Sequence, residues 1–257
     1  MSRRDAALDL LGIERWRLRG ALAATLTAPE VATAPMPPVA PVVAPVARAP
    51  MAASVSPPPL LADAGEDSWE RLAAEVSACT ACALHSTRTQ PVFGVGNRRA
   101  EWLVIGEAPG AEEDRRGEPF VGRAGQLLDA MLKAIGLARE QVFIANVLKS
   151  RPPNNRDPRP EEIAACLPFL MRQIALLQPR ILLVVGRIAA QSLLGTDEPI
   201  GRLRGRVHHF GPTRLPMVVT YHPAYLLRSP LEKRKAWEDL KMARRLHRER
   251  AAGATEA

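Results

Sequence analysis

The sequence is poor in cysteine, in aromatic residues and in long apolar runs, and each shortage excludes something. Three cysteines in 257 residues cannot build the disulfide framework of a small secreted domain, which points to a reducing compartment. No stretch of about 18 uninterrupted apolar residues occurs, so no membrane span is expected. The opening "MSRRDAALDLLGIERW" carries paired arginines, but Asp9, Glu14, Arg15 and Arg17 interrupt the apolar run a signal peptide needs. The cytoplasm is therefore the expected location. The Gly-Lys-Ser/Thr ending of a phosphate-binding loop is missing, and "GVGNRR" (94–99) precedes a strand pattern where a dinucleotide fingerprint would follow one. No nucleotide cofactor is expected.

What the sequence does have is positive charge, unevenly spread. The formal net charge is +8 and the isoelectric point is near 10.1. Between Arg202 and Arg250 there are 13 Lys/Arg against 4 Asp/Glu, a local net of +9. An acidic partner fits this balance, and nucleic acid is the obvious polyanion. A solvated basic helix at the C-terminus is the other reading.

Three segments follow from composition. Residues 1–26 hold a short helical pattern, with Ser2 placed to cap it and Leu8 and Leu11 on one face. A helix this short is marginal alone and needs a partner. Residues 27–62 form a Pro/Ala-rich linker, with ten prolines and two charges between Pro29 and Pro59. At about 3.1 Å per residue it spans roughly 90 Å when extended. Residues 63–257 carry the folded domain.

In that domain four apolar runs read as buried strands: 102–108, 141–149, 180–186 and 217–223. Helical patterns lie between them, in "AGQLLDAMLKAIG", "RPEEIAACLPFLMRQIALL" and "RIAAQSLLG". The expectation is an α/β fold, a four-stranded parallel sheet between helices. Such sheets bind ligands beyond the carboxyl ends of their strands. Glu107, Asn146 and His222 all fall at strand ends here, so they should face one cleft. A carboxylate, an amide and an imidazole together suit a base with mixed donors and acceptors. Taken singly, each is equally a loop carboxylate, a strand-end cap or a packed histidine. "GEAPGAEEDRRGEPFVGRAGQLLDAML" (106–132) reads as a ligand loop or a structural turn.

Four blocks together carry a resemblance: "CTACALHSTRTQPVFGVGN", "GEAPGAEEDRRGEPFVGRAGQLLD", "NVLKSRPPNNRDPRPEE" and "YHPAYLLRSP". They resemble the signature blocks of the family 4, iron–sulfur type uracil-DNA glycosylases, over about Trp69 to Ala243. The resemblance implies an enzyme that flips uracil out of DNA and hydrolyses its N-glycosidic bond. It implies that Phe120 stacks on the flipped uracil, with Ala108 also lining the base pocket, and that Asn146 reads the uracil edge. It implies that His222 stabilises charge growing on O2 and that Glu107 positions water or stabilises the sugar cation. Leu226, Leu227 and Arg228 match the loop that enters the duplex minor groove, and Arg151 matches a DNA contact. A monomer is expected.

The resemblance also implies a 4Fe-4S cluster of structural role. Its ligands would be Cys79 and Cys82 of "CTAC", Cys166, and a residue 16 positions before Cys166. That residue is Ser150, where the family usually has cysteine. Thiolate suits iron, whereas a serine oxygen binds it only as a hard alkoxide. Three outcomes stay open: a cluster completed by Ser150 or an outside ligand, a labile three-iron cluster or a zinc site with His85, or no metal at all. Loss of a cluster is expected to loosen the loops around "RPPNNR" and weaken DNA affinity before it damages the uracil pocket.

The N-terminal peptide has a resemblance of its own. "SRRDAALDLLGIERWRLR" is similar to the extreme N-terminus of the psi subunit of the DNA polymerase III clamp loader. This implies a clamp-loader contact through residues 1–20. It also raises a rival reading, a non-catalytic psi-like subunit on a glycosylase-like fold.

Overall fold

The computed structural model describes residues 66–253. The docking helix expected at 1–26 and the linker at 27–62 lie outside the described residues. Helix α1 (Glu66–Ala78) opens the described part. Strand β1 (Val95–Gly96) and strand β2 (Trp102–Gly106) follow, then helices α2 (Ala111–Arg116) and α3 (Arg123–Ala134). Next come β3 (Phe143–Asn146), α4 (Pro160–Leu177), β4 (Ile181–Val185), α5 (Arg187–Leu194) and α6 (Ile200–Leu203). The described part ends with β5 (Val207–Phe210), β6 (Leu215–Thr220), α7 (Pro223–Arg228) and α8 (Lys233–Gly253).

The sheet has six strands in the order β1-β3-β2-β4-β6-β5. The four central strands β3, β2, β4 and β6 are parallel and are those the apolar runs mark. The four expected parallel strands thus form the centre of a mixed six-stranded sheet. The two additions are antiparallel edges, β1 against β3 and β5 against β6. Their sequences are "VG" and "VHHF", which are short, half-buried or exposed, and therefore carry no apolar run to detect.

Every residue of β2, β4 and β6 is buried, because both faces of the sheet are covered. Alternate side chains feed two cores. Leu103, Ile105, Leu182, Val184 and Met217 meet Leu170 and Cys166 of α4. Trp102, Val104, Leu183 and Val218 meet Leu128 and Leu132 of α3 and Leu240 of α8. The basic C-terminal helix is therefore also a structural layer. Asp239 on α8 is fully buried, accepts two hydrogen bonds from Arg204 (2.7 and 2.9 Å) and one from Thr220 at the end of β6 (2.9 Å).

Register aligns the strand ends. Gly106 pairs with Asn146, and Val185 pairs with Thr220. Glu107, the residues after Asn146, Gly186 and His222 consequently leave the sheet along one edge. No helix among the described residues is long and apolar enough to cross a membrane.

Candidate active site

At that edge the structure brings together Phe120, Asn146 and His222. Gly106 shows how tight the junction is. A Cβ on Gly106 would lie 2.4 Å from Asn146 Oδ1 and 2.6 Å from Phe120 Cζ, so only glycine lets the amide and the ring approach the strand. The Phe120 and His222 rings have centroids 5.6 Å apart and are tilted by 30°. Glu107 follows Gly106 directly, and its carbonyl accepts the Leu148 N–H (3.0 Å), which stitches the two strand ends together.

Phe120 holds a left-handed backbone, φ 54°, which costs a non-glycine residue about 1–3 kcal/mol. Its surroundings fix it there. Glu113 of α2 accepts from the Val121 and Gly122 N–H groups (2.9 and 3.1 Å) with one oxygen, and from Gly110 N–H (3.1 Å) with the other. One carboxylate thus pins both halves of the 106–122 loop. Gly125 closes the other side, since a Cβ there would sit 1.8 Å from the Phe120 carbonyl.

The Asn146 side chain is 2% exposed overall, and its Oδ1 is buried without a hydrogen-bond partner. A buried acceptor left unpaired costs about 1–3 kcal/mol, and this oxygen is free to take a donor. Beneath it, the fully buried Lys149 donates to the Asn146 carbonyl (2.8 Å) and to Gln173 (2.7 Å). Burial draws the Lys149 amine down to about 7.

His222 caps α7. Its Nδ1 accepts the Ala224 N–H at 3.2 Å, and Pro223 occupies the first helical position. With Nδ1 as acceptor, the ring proton of the neutral tautomer sits on Nε2 and is free to be donated. Burial pulls the His222 pKa down to about 4, and the Arg228 charge pulls the same way. Glu107 moves in the opposite direction. Burial raises its carboxyl to about 7, Asp157 adds to the rise, and Arg187 opposes it. Asp157 and Arg187 form an exposed ion pair at 2.7 Å.

The other residues singled out in the sequence divide. Ala108 is half-buried against the core. Arg151 donates to Asn155 Oδ1 (2.7 Å) within the turn that follows β3. In α7, Leu226 is 1% exposed and belongs to the core, so the wedge reading of Leu226 is corrected. Leu227 and Arg228 face outward, and Leu231 just beyond is 91% exposed. An i, i+1 pair cannot share a helix face, and the leucine that meets α3 is the buried one.

Around the cysteines, burial raises the Cys166 thiol above its usual value, and the Cys82 and Cys79 thiols are near enough to add to the rise. The Lys149 N–H points at Cys166 Sγ (3.4 Å). His85 turns its Nδ1 to the Cys82 carbonyl (2.8 Å). Among the described residues no group of three or more His, Cys, Asp or Glu is placed to hold a single metal ion. Ser150 is 2% exposed, and its Oγ accepts a hydrogen bond from Arg88 (2.9 Å). The donor set is therefore three thiols and one hydroxyl that already serves a cation. It does not fit a cluster held at four protein corners.

Sequence reasoning did not single out Glu113, Lys149 or Arg88. Glu113 had a weak local signal, an acid three residues after a glycine at a helix start. The Arg88–Ser150 and Lys149–Gln173 bonds form only across the fold.

Comparison with known proteins agrees with this geometry. Residues 93–241 match the model of the uracil DNA glycosylase superfamily. A type-4 uracil-DNA glycosylase of Archaeoglobus fulgidus is 43% identical over 181 residues, covering 68% of this chain and 91% of that protein. One from Thermotoga maritima is 42% identical over 183 residues, covering 70% and 94%. A type-5 uracil-DNA glycosylase of Thermus thermophilus is 31% identical over 151 residues, covering 52% and 68%.

Proposed function

The chain belongs to the uracil DNA glycosylase superfamily and is a uracil-DNA glycosylase; we propose that it rotates uracil out of DNA into the cleft at Phe120, Asn146 and His222 and hydrolyses the base–sugar bond there. The observation that carries the reading is the orphaned Asn146 Oδ1, buried beside an aromatic ring at the end of a parallel sheet.

Each residue has a task in this scheme. Phe120 offers a ring for the extruded base to stack on. Asn146 Oδ1 accepts from N3–H of uracil, and its NH2 donates to O4. Cytosine has an unprotonated N3 and a C4 amino group, so it meets acceptor with acceptor and donor with donor. As the bond from N1 to the sugar breaks, its electron pair moves onto the uracil ring and O2 gains negative charge. The neutral His222 donates from Nε2 to that oxygen, where charge develops and not where it starts. Glu107 as carboxylate orients the water that adds to the sugar cation and takes up its proton. Outside the cleft, Leu227 is the apolar side chain offered to the duplex, and Arg228 and Arg151 are the phosphate contacts.

The resemblance to cluster-bearing glycosylases rests here on Cys79, Cys82 and Cys166. No step of the reaction runs through a metal. A cytoplasmic role agrees with three free thiols among the described residues. The clamp-loader contact through residues 1–20 is supported only by the short N-terminal likeness, since the family match begins at residue 93.

Uracil release from a single-stranded oligonucleotide tests the assignment. Asn146→Ala and His222→Ala are each expected to lower kcat/KM by about 10²–10³-fold, the cost of removing one preorganised partner of a developing oxyanion or its base. Activity within threefold of wild type in either variant would remove that residue from the scheme.

A further inference from the structure

Three segments meet at one guanidinium. Arg88 donates through Nη1 to Ser150 Oγ (2.9 Å), and through Nη2 to the carbonyls of Ser77 and Cys79 (both 3.0 Å). Ser77 and Cys79 end α1 and begin the cysteine pair. Ser150 lies in the segment after β3, four residues beyond Asn146 and 62 from Arg88. Next to it, the Lys149 carbonyl accepts the Val92 N–H (2.7 Å), so the segment carrying Arg88 is tied to the same place twice.

This is where a fourth iron ligand would belong, and the chemistry present is of another kind. A serine oxygen ligates iron after losing its proton, as a hard and strongly basic donor. The Ser150 oxygen is instead an acceptor for a permanently charged group that offers several N–H donors in a fixed fork. The fork satisfies one buried hydroxyl and two carbonyls together, from two nitrogens held in one plane.

We propose that Arg88 and Ser150 form a metal-free latch in place of the fourth cluster ligand, so that this protein keeps its cysteine-bearing segment docked on β3 without a four-iron cluster. The latch holds the neighbourhood of Asn146 and Lys149 through backbone and side-chain hydrogen bonds alone. A chain so built tolerates iron limitation and chelators that would unfold a cluster-dependent relative.

The test uses the full chain, expressed with ample iron and purified without oxygen. Iron and acid-labile sulfide are measured per chain before and after a strong chelator, alongside the thermal unfolding midpoint. The expected result is iron well below four per chain, no iron–sulfur visible absorption, and an unfolding midpoint that the chelator does not shift. Arg88→Met is expected to lower the midpoint by on the order of 5 °C, since a buried hydroxyl and two carbonyls lose their donor. Ser150→Ala is expected to lower it less, and the double variant to fall no further than Arg88→Met alone, because the two residues act as one unit. Should Arg88→Met not fold, Ser150→Ala, which removes a single oxygen, carries the stability comparison. Four irons and four sulfides that survive the chelator would overturn the proposal, as would Ser150→Ala leaving the midpoint unchanged. These readouts are independent of catalysis, so the roles assigned to Asn146 and His222 stand or fall separately.

Discussion

Replacing Glu107 by glutamine separates the chemistry of the cleft from its stability, and pH makes the separation visible. Burial lifts the Glu107 carboxyl from an ordinary 4.5 to about 7. If the carboxylate orients the attacking water, kcat/KM on single-stranded DNA should fall tenfold per pH unit below 7. At pH 5 only about 1% of the group is ionised, so the loss relative to pH 8 approaches 100-fold. His222 titrates near 4 and stays neutral over this range, so it adds no limb of its own above pH 5. Glu107→Gln should be slow at pH 8 and should show a flat profile from 5 to 8. Stability should move the other way. The folded-state pKa is raised, so the wild type loses stability as pH climbs from 4.5 to 7, because the unfolded chain ionises first. Above 7 the deficit is complete, about 3 kcal/mol for a carboxyl moved from 4.5 to about 7. Glu107→Gln should therefore unfold at a higher temperature than wild type at pH 8 and at nearly the same temperature at pH 4. The assay is a pH–rate series beside a melting series on both proteins. A wild-type limb near 4.5, or a glutamine variant less stable than wild type at pH 8, would refute the claim that burial governs this carboxyl.

Three further outcomes follow from the same geometry. Leu227→Ala should reduce uracil release from duplex DNA several-fold while sparing single strands, because a wedge matters only where a base leaves a stack; equal losses on both substrates would contradict it. Arg204→Met should cost about 3 kcal/mol of unfolding free energy near pH 7, since it leaves the fully buried Asp239 carboxylate short of its cation, and chemical denaturation reads the loss directly. Deleting residues 1–26 should leave kcat/KM unchanged and weaken binding to the DNA polymerase III clamp loader; unchanged binding in a pull-down with that complex removes the tether reading.

Much of the cleft was legible along the chain because parallel strands announce themselves. A strand buried on both faces needs a continuous apolar run, and "WLVIG" and "ILLVV" can be little else. The polar residue that ends such a run must emerge at the carboxyl edge, so the sequence alone groups Glu107, Asn146 and His222. The edge strands stayed hidden because a strand with one open side does not need such a run. Leu226 and Leu227 looked alike because helical phase, set by what α3 presents to α7, decides which of two adjacent leucines is buried.

By itself the sequence determined the α/β alternation, the helix boundaries near glycine and proline, and the residue types at the strand ends, because these depend on neighbours within a turn or a pleat. Tertiary structure alone decided the Gly106–Asn146 register, the left-handed Phe120 held by Glu113, the inward Leu226, and the Arg88 bond to Ser150. All but the Glu113 contact, which spans eight residues, join groups far apart along the chain. Closing such loops costs conformational entropy that only the assembled core can offset, so no local pattern encodes them.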